Sequence, residues 1–144
     1  MDEVLKPYKA TLDEAYGDIT LDGKNIIVAN TQHPSVIAYY DEQRVEMKHM
    51  VGYAELMVKR LKGTLYNDIK KSSPKALSVT EMDKMIESSP AYIEIYCKFL
   101  DIKELYDKFV SITNALLQKS YTLTNLVKIY ENDLQNITIH INEE

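Results

Sequence analysis

Residues 34–66 read PSVIAYYDEQRVEMKHMVGYAELMVKRLKGTLY and decide the fold. Pro34 suits the first turn of a helix, and the apolar side chains after it recur at alternating spacings of four and three residues. This periodicity predicts a long amphipathic helix from Val36 to Tyr66. Its principal stripe consists of Val36, Tyr40, Gln43, Met47, Met50, Ala54, Met57 and Leu61.

A second heptad line runs beside the first, from Ile37 through Val51 to Leu65. Two adjacent stripes are typical of a helix that contacts more than one partner helix. Such a helix extends about 46 Å, more than so small a protomer is expected to cover alone. The pattern therefore predicts oligomerisation. The residues predicted to form the subunit interface are Val36, Tyr40, Met47, Met50, Ala54, Met57, Leu61, Leu123, Val127 and Tyr130.

The second half of the chain repeats the helical pattern. Ser78 and Glu81 have capping-box spacing before a short helix, VTEMDKMIE, and Ser89-Pro90 opens the next helix. Four-three spacing then continues from Ile95 to Leu134, with SYTLT at 120–124 as a weak point where a kink is plausible. The predicted class is all-α: two long antiparallel amphipathic helices joined by a basic loop and a short helix, in an oligomerising bundle or ring.

The two ends of the chain look less regular. Pro7 and Gly17 limit any early helix to about residues 10–16, and Ile26 to Val28 reads as extended, so residues 1–34 are predicted to be an irregular arm. The tail ITIHINEE at 137–144 alternates like a strand and is expected to be strand-like or disordered. The predicted organisation is an arm at 1–34, a helical core at 35–136 and a tail at 137–144.

Composition restricts the class of protein. A chain of 144 residues fits one domain, and four glycines and four prolines argue against a turn-rich β architecture. The single Cys97 excludes an internal disulfide and favours a reducing, cytoplasmic setting. MDEVLKPYKA reads as neither a signal nor a membrane anchor.

No motif for catalysis, metal binding or cofactor binding is recognisable. The phosphate loop, the dinucleotide fingerprint and the nucleophile elbow are all missing. His33, His49 and His140 lie far apart in sequence, and Cys97 sits between Tyr96 and Lys98 in a helix. These observations predict a non-enzymatic protein without a metal or cofactor.

One stretch, KRLKGTLYNDIKKSSPK at 59–75, concentrates positive charge. It holds six basic residues and one acidic residue, for a formal charge of +5, in a chain whose net charge is −5. With Tyr66 as a stacking ring, it favours a local site for single-stranded nucleic acid, although a solvated helix end explains the charge equally simply. The candidate contacts here are Lys59, Arg60, Lys62, Tyr66, Lys70, Lys71 and Lys75.

Four pieces of the chain, spread over about residues 19–134, occur in the order found in a known family. They are ITLDGKNIIVANTQHPSVIAYYDE at 19–42, RLKGTLY at 60–66, TEMDKMIESSPAYIEI at 80–95 and QKSYTLTNLVKI at 118–129. Together they resemble the UvsY recombination mediators of large tailed phages. These small helical proteins help a RecA-type recombinase displace single-strand-binding protein from single-stranded DNA.

The resemblance implies several functional residues. Arg60 and Lys62 match the family's basic pair that contacts DNA, and Tyr66 matches its aromatic residue. Lys119, with Tyr121 and Leu123, matches a basic–aromatic–aliphatic segment, although the family often has arginine and phenylalanine at the first two positions. Asn67-Asp68 replaces the family's glycine after the tyrosine, and the tail after Leu134 has no counterpart.

The resemblance also implies a homo-oligomeric ring that binds single-stranded DNA, with a recombinase and single-strand-binding protein as partners and without a membrane. The alternative is a helical structural or assembly protein, or a phage chaperone, whose stripes bundle with a partner. In that case the basic stretch is solvated surface.

Overall fold

Two long helices packed against each other form the body of the chain. The computed structural model describes residues 2–21, 25–73 and 77–131. The long helices are antiparallel, because His33 near the start of one lies beside Ser120 near the end of the other. The all-α prediction is confirmed. The helices of the described residues are α1 (Asp2–Ile19), α2 (Ile26–Ser72), α3 (Val79–Glu87) and α4 (Pro90–Glu131).

The N-terminal segment is a regular helix, so the prediction of an irregular arm was wrong. α1 runs through Pro7 and Gly17 and packs on α4. Proline inside a helix removes one backbone hydrogen bond and costs about 3 kcal/mol. Burial of Leu5 and Leu12, each less than a tenth exposed, offsets that cost because each contributes about 2 kcal/mol.

α2 begins eight residues before Pro34, contrary to the extended segment predicted at 26–28. The side-chain oxygen of Asn25 accepts hydrogen bonds from the amides of Ile27 and Val28, at 3.0 and 3.3 Å, and so caps the helix. Ala29 and His33 are buried in this first part of α2. The cap and this burial stabilise a helix here, although the β-branched residues Ile26, Ile27 and Val28 favour an extended strand.

The C-terminal end of α2 replaces most of the predicted basic loop. Residues 67–72 are helical, and the helix closes where the amide of Ser73 donates to the carbonyl of Ile69 at 3.0 Å. Lys70 and Lys71 lie in the last turn, where cations interact favourably with the helix dipole. The loop prediction was therefore wrong for 67–72, and Lys75 lies outside the described residues.

The predicted beginnings of α3 and α4 are confirmed. Ser78 and Glu81 form a reciprocal capping box, and the hydroxyl of Ser89 accepts from the amide of Tyr92 at 3.2 Å. α4 remains helical through 120–124, where the hydroxyl of Thr124 donates to the carbonyl four residues earlier. The predicted tail at 137–144 lies outside the described residues.

The main core forms where α1, α2 and α4 meet, and it absorbs much of the predicted subunit interface. Tyr40, Met47 and Ala54 of α2 are buried in one cluster with α1 and α4, and Leu123 of α4 is also buried. The prediction that these four residues bind a second subunit was therefore wrong. A heptad stripe shows that a partner helix exists but not whether it belongs to the same chain. Here α4 supplies it.

The other predicted interface residues are less buried. Val36 and Met50 pack against the rim of the cluster, and Tyr130 is 58 % exposed. Their role between subunits stays a prediction. Five of the predicted interface residues are half-buried: Val36, Met50, Met57, Leu61 and Val127.

Candidate nucleic-acid interface

All the described basic residues of the 59–75 stretch lie on one helix, the C-terminal part of α2. Lys59, Arg60, Lys70 and Lys71 are exposed. At about 1.5 Å per residue, Arg60 and Lys71 are separated by about 16 Å along the helix axis. The structure therefore presents these residues on one helix, where we predicted a helix end followed by a basic loop.

Two of the cations already have carboxylate partners. The Nζ of Lys59 lies 2.8 Å from Glu55, and the Nζ of Lys62 lies 2.9 Å from Asp83 of α3. The hydrogen bond from Lys59 lowers the pKa of Glu55, and the hydrogen bond to Asp83 raises the pKa of Lys62. Exposed pairs of this kind contribute little to stability, so a phosphate can compete for them. The charge available to a ligand is nevertheless lower than +5 suggests.

Arg60, Lys70 and Lys71 make no ion pair or side-chain hydrogen bond within the described residues. Arg60 and Lys71 lie eleven residues apart, which places them within about 20° of each other around the helix. Thr64 and Asn67, both exposed, occupy the same line between them. We call these four residues (Arg60, Thr64, Asn67 and Lys71) the polar stripe. Its side chains are of the types that contact a nucleic-acid backbone.

The resemblance-based trio of Arg60, Lys62 and Tyr66 is not brought together. Lys62 lies about 160° around α2 from Arg60 and faces α3, while Tyr66 lies about 120° away and is half-buried. A ring in that position does not form one contact surface with Arg60. The polar stripe was missed because it requires α2 to continue past Asn67. The sequence feature that could have predicted the stripe is the spacing of four, three and four residues between positions 60, 64, 67 and 71.

Lys119 is in the interior, so the prediction that it contacts DNA was wrong. Its side chain is 8 % exposed, and its Nζ donates to the backbone carbonyls of Asp18 and Thr20. These carbonyls lie at the C-terminal end of α1, which has no further helical turn to satisfy them. Lys119 is therefore a buried helix cap that joins α4 to α1. Tyr121, two residues on, is exposed.

A cleft between α1 and α4 does not resemble an active site. It has a volume of about 640 Å³ and lies between α1 and α4, where Lys9 and Lys108 alternate with Asp101 and Glu104. Lys108 pairs with Glu104 at 2.5 Å. With Asp13 the lining holds three carboxylates and two lysines, a formal charge of −1, so the opposite charges largely offset each other.

Residues that could support other chemistry are dispersed. The buried His33 has its Nε2 2.9 Å from both the Leu116 carbonyl and the Ser120 hydroxyl, and Cys97 is exposed. Within residues 2–21, 25–73 and 77–131, no three His, Cys, Asp or Glu side chains gather as metal ligands would. In the same part of the chain, no helix is long and apolar enough to span a bilayer.

Comparisons of this chain with protein-family models, with curated proteins and with solved structures found no match.

Proposed function

We propose that this chain is a non-enzymatic helical protein that binds single-stranded nucleic acid along the C-terminal part of α2. The observation that carries the proposal is the polar stripe from Arg60 to Lys71, with Lys70 beside it. Its cations are exposed and form no ion pair with the rest of the described chain. Phosphates can therefore approach them without first displacing a carboxylate.

The charge of the whole chain limits how nucleic acid binds. A net charge of −5 repels a polyanion from most of the surface, so contact is confined to the polar stripe and its neighbours. A flexible single strand can follow so short a surface without bringing a second backbone against acidic regions. Backbone contacts should dominate, because Tyr66 is half-buried and offers little of its ring for stacking.

A more specific form of the proposal is recombination mediation. The segment RLKGTLY resembles the basic helix end of the UvsY mediators, and its Arg60 begins the polar stripe. In this role the chain holds single-stranded DNA, weakens the grip of single-strand-binding protein and favours assembly of a RecA-type recombinase filament. The acidic remainder of the surface is the part available to those protein partners.

Salt-dependent binding to fluorescent oligo-dT tests the nucleic-acid proposal. We expect binding at low salt that weakens steeply as salt rises, because each phosphate contact releases counterions. Lys70→Ala combined with Lys71→Ala should reduce the slope of log K against log salt by about 1.4. The matched control, Lys6→Ala with Lys103→Ala, removes the same charge from exposed positions elsewhere. Absence of binding at low salt, or equal slopes for the two double variants, would refute the proposal.

Displacement of labelled single-strand-binding protein from the oligonucleotide tests the mediator role separately. Release should accompany addition of the wild-type chain and be reduced for the Lys70/Lys71 variant. If the chain binds the oligonucleotide but releases nothing, mediation is wrong while single-strand binding stands.

The second candidate is a structural or assembly protein. The exposure of large apolar side chains on both long helices favours it, since such side chains are typical of surfaces that contact other proteins. Examples are Tyr53 and Leu56 on α2 and Leu117 and Tyr121 on α4. A chain that forms a specific protein complex but has no salt-dependent affinity for oligo-dT would fit this candidate instead.

A further inference from the structure

The face of α2 that points away from the core carries two heptad lines of its own. Helical geometry places them opposite the buried Met47 and Ala54, and all eight residues are exposed. We call them the outer face. One line is Ala38, Val45, Gly52 and Lys59, and the other is Glu42, His49, Leu56 and Gly63.

The outer face changes in character along its length. Glu42, beside Asp41 and its 2.7 Å ion pair with Arg44, makes the first part acidic, and Lys59 and Arg60 make the last part basic. Between them lies an apolar centre in which Leu56 is 61 % exposed. A shallow groove runs along this centre and is lined by Arg44, Val45, Lys48, His49, Gly52, Tyr53 and Leu56.

We propose that the outer face binds the outer face of a second copy of this chain, with the two α2 helices antiparallel. A two-fold axis at the level between residues 50 and 51 makes every layer complementary. Each residue then meets its counterpart reciprocally, as an isologous interface requires. The layers are Ala38 with Gly63, Glu42 with Lys59, Val45 with Leu56 and His49 with Gly52, flanked by Asp41 with Arg60 and Lys48 with Tyr53.

The charged residues of the outer face favour the antiparallel over the parallel arrangement of the two α2 helices. A parallel pair in register would place Glu42 against Glu42 and Lys59 against Lys59, and like charges across an interface disfavour association. The antiparallel pair replaces both repulsions with Glu42–Lys59 attractions, one on each side of the axis. Lys59 now pairs with Glu55 of its own helix, an exposed and weak bond that can be exchanged.

Glycine allows the two helices to approach closely. Space lies open where a Cβ would project from Gly52 or Gly63, and both residues are on the outer face. His49 packs over the partner's glycine in one layer, and Ala38 does so in another. Small residues at these levels let the Val45 and Leu56 side chains between them meet across the axis.

This inference does not rest on the proposed function. Arg60 lies at the margin of both surfaces, but Lys70 and Lys71 lie beyond the paired segment 38–63. Loss of nucleic-acid binding through Lys70 and Lys71 is therefore separable from loss of the dimer. In an antiparallel dimer, the Lys70–Lys71 pair of one copy and that of its partner lie at opposite ends of the paired helices.

Sedimentation equilibrium tests the association. The wild-type chain should show a mass that rises with concentration toward twice the protomer's 16.6 kDa. Val45→Glu with Leu56→Glu should raise the dissociation constant at least about tenfold, because it buries unpaired carboxylates in the central layers. Both positions are exposed in the protomer, so circular dichroism should be unchanged. A monomer at all concentrations, or a dimer indifferent to this change, would overturn the proposal.

Charge exchange tests the direction. Glu42→Lys should weaken the dimer by placing lysine against Lys59 in two symmetric layers. Adding Lys59→Glu should restore wild-type association, because the opposite charges meet again. Failure of this rescue would exclude the antiparallel register.

Cysteine cross-linking tests the level of the axis. In a Cys97→Ser background, Val45→Cys with Leu56→Cys should give a covalent dimer on oxidation, and each single cysteine should not. Residues 45 and 56 of one helix are about 16 Å apart, too far for a bond within the chain. Cross-linking by either single variant, or none by the pair, would contradict the register.

Discussion

The ammonium group of Lys119 donates a hydrogen bond to the backbone carbonyl of Asp18, across about a hundred residues of sequence. The carboxylate of the same Asp18 accepts from the hydroxyl of Tyr40 at 3.0 Å. Asp18 thus ties the end of α1 to both long helices. Lys119, which the family resemblance predicted to contact DNA, instead makes the hydrogen bonds that position the end of α1 against α4.

Replacement of Lys119 should destabilise the fold and leave nucleic-acid binding intact. Lys119→Met keeps the length of the side chain but leaves the carbonyls of Asp18 and Thr20 without their donor. We expect the free energy of unfolding to fall by about 1–3 kcal/mol, measured by urea denaturation. Lys103→Met, at an exposed position of α4, should change it by less than about 0.5 kcal/mol. A salt slope for oligo-dT that fell along with stability would restore Lys119 as a contact.

Met47 tests whether the main stripe of α2 packs within one chain. Its side chain is fully buried, so Met47→Ala should cost about 2–5 kcal/mol of unfolding free energy by leaving a cavity. The loss should be the same at low and high protein concentration, since no second subunit fills the position. Met85→Ala, at a half-exposed site on α3, is the control and should cost far less. A concentration-dependent loss for Met47→Ala would place the stripe between subunits after all.

Tyr40 should make the fold sensitive to alkali. Burial, and then the hydrogen bond to Asp18, raise its pKa above the ordinary value of 10.0. The folded chain holds this proton more tightly than the unfolded chain does. The stabilisation is therefore complete below pH 10 and is lost as pH rises from there through the raised pKa.

Urea midpoints at pH 8 and pH 11 measure this effect. The drop between the two should be smaller in Tyr40→Phe than in the wild type, whereas Tyr130→Phe, at an exposed position, should behave like the wild type. Equal drops in all three chains would show that Tyr40 does not carry the effect.

The capping box should control the start of α3. The hydroxyl of Ser78 accepts from the amide of Glu81 at 3.3 Å, so Ser78→Ala should cost roughly 1 kcal/mol and speed hydrogen exchange at that amide. Ser88→Ala, at the other end of α3, should leave that amide protected. Unchanged exchange in Ser78→Ala would mean that packing alone holds the turn.

The same box should also weaken in acid. The Ser78 hydroxyl, and then the Ser78 amide, lower the pKa of Glu81 by hydrogen bonding to its carboxylate. The stabilisation is therefore present above the unfolded pKa of about 4.3 and is lost as pH falls through the lower folded value. The protection factor of the Ser78 amide, which donates to the Glu81 carboxylate at 2.9 Å, should fall over that range, and Glu81→Gln should remove most of this fall.

Local chemistry along the chain determined the helical class, the two long amphipathic helices and the beginnings of α3 and α4. Alternating four-three spacing and the Ser78–Glu81 box need only neighbouring residues to act, so they could be predicted from the sequence. Tertiary contacts decided the rest. Burial of Leu5 and Leu12 carries α1 through Pro7, and α4 rather than a second subunit covers Met47.

Some features of the candidate site could likewise be predicted from the sequence, and others depend on the tertiary structure. The sequence located the basic stretch at 59–75, because charge is a property of composition. Only the fold showed that Lys62 turns toward Asp83, that Lys119 is buried, and that α2 continues far enough to align Arg60 with Lys71. The direction of a side chain and its partner depend on which helices pack together, and such contacts lie tens of residues apart in the chain. The sequence by itself therefore determined where the charge is, and the tertiary structure decided which of it a ligand can reach.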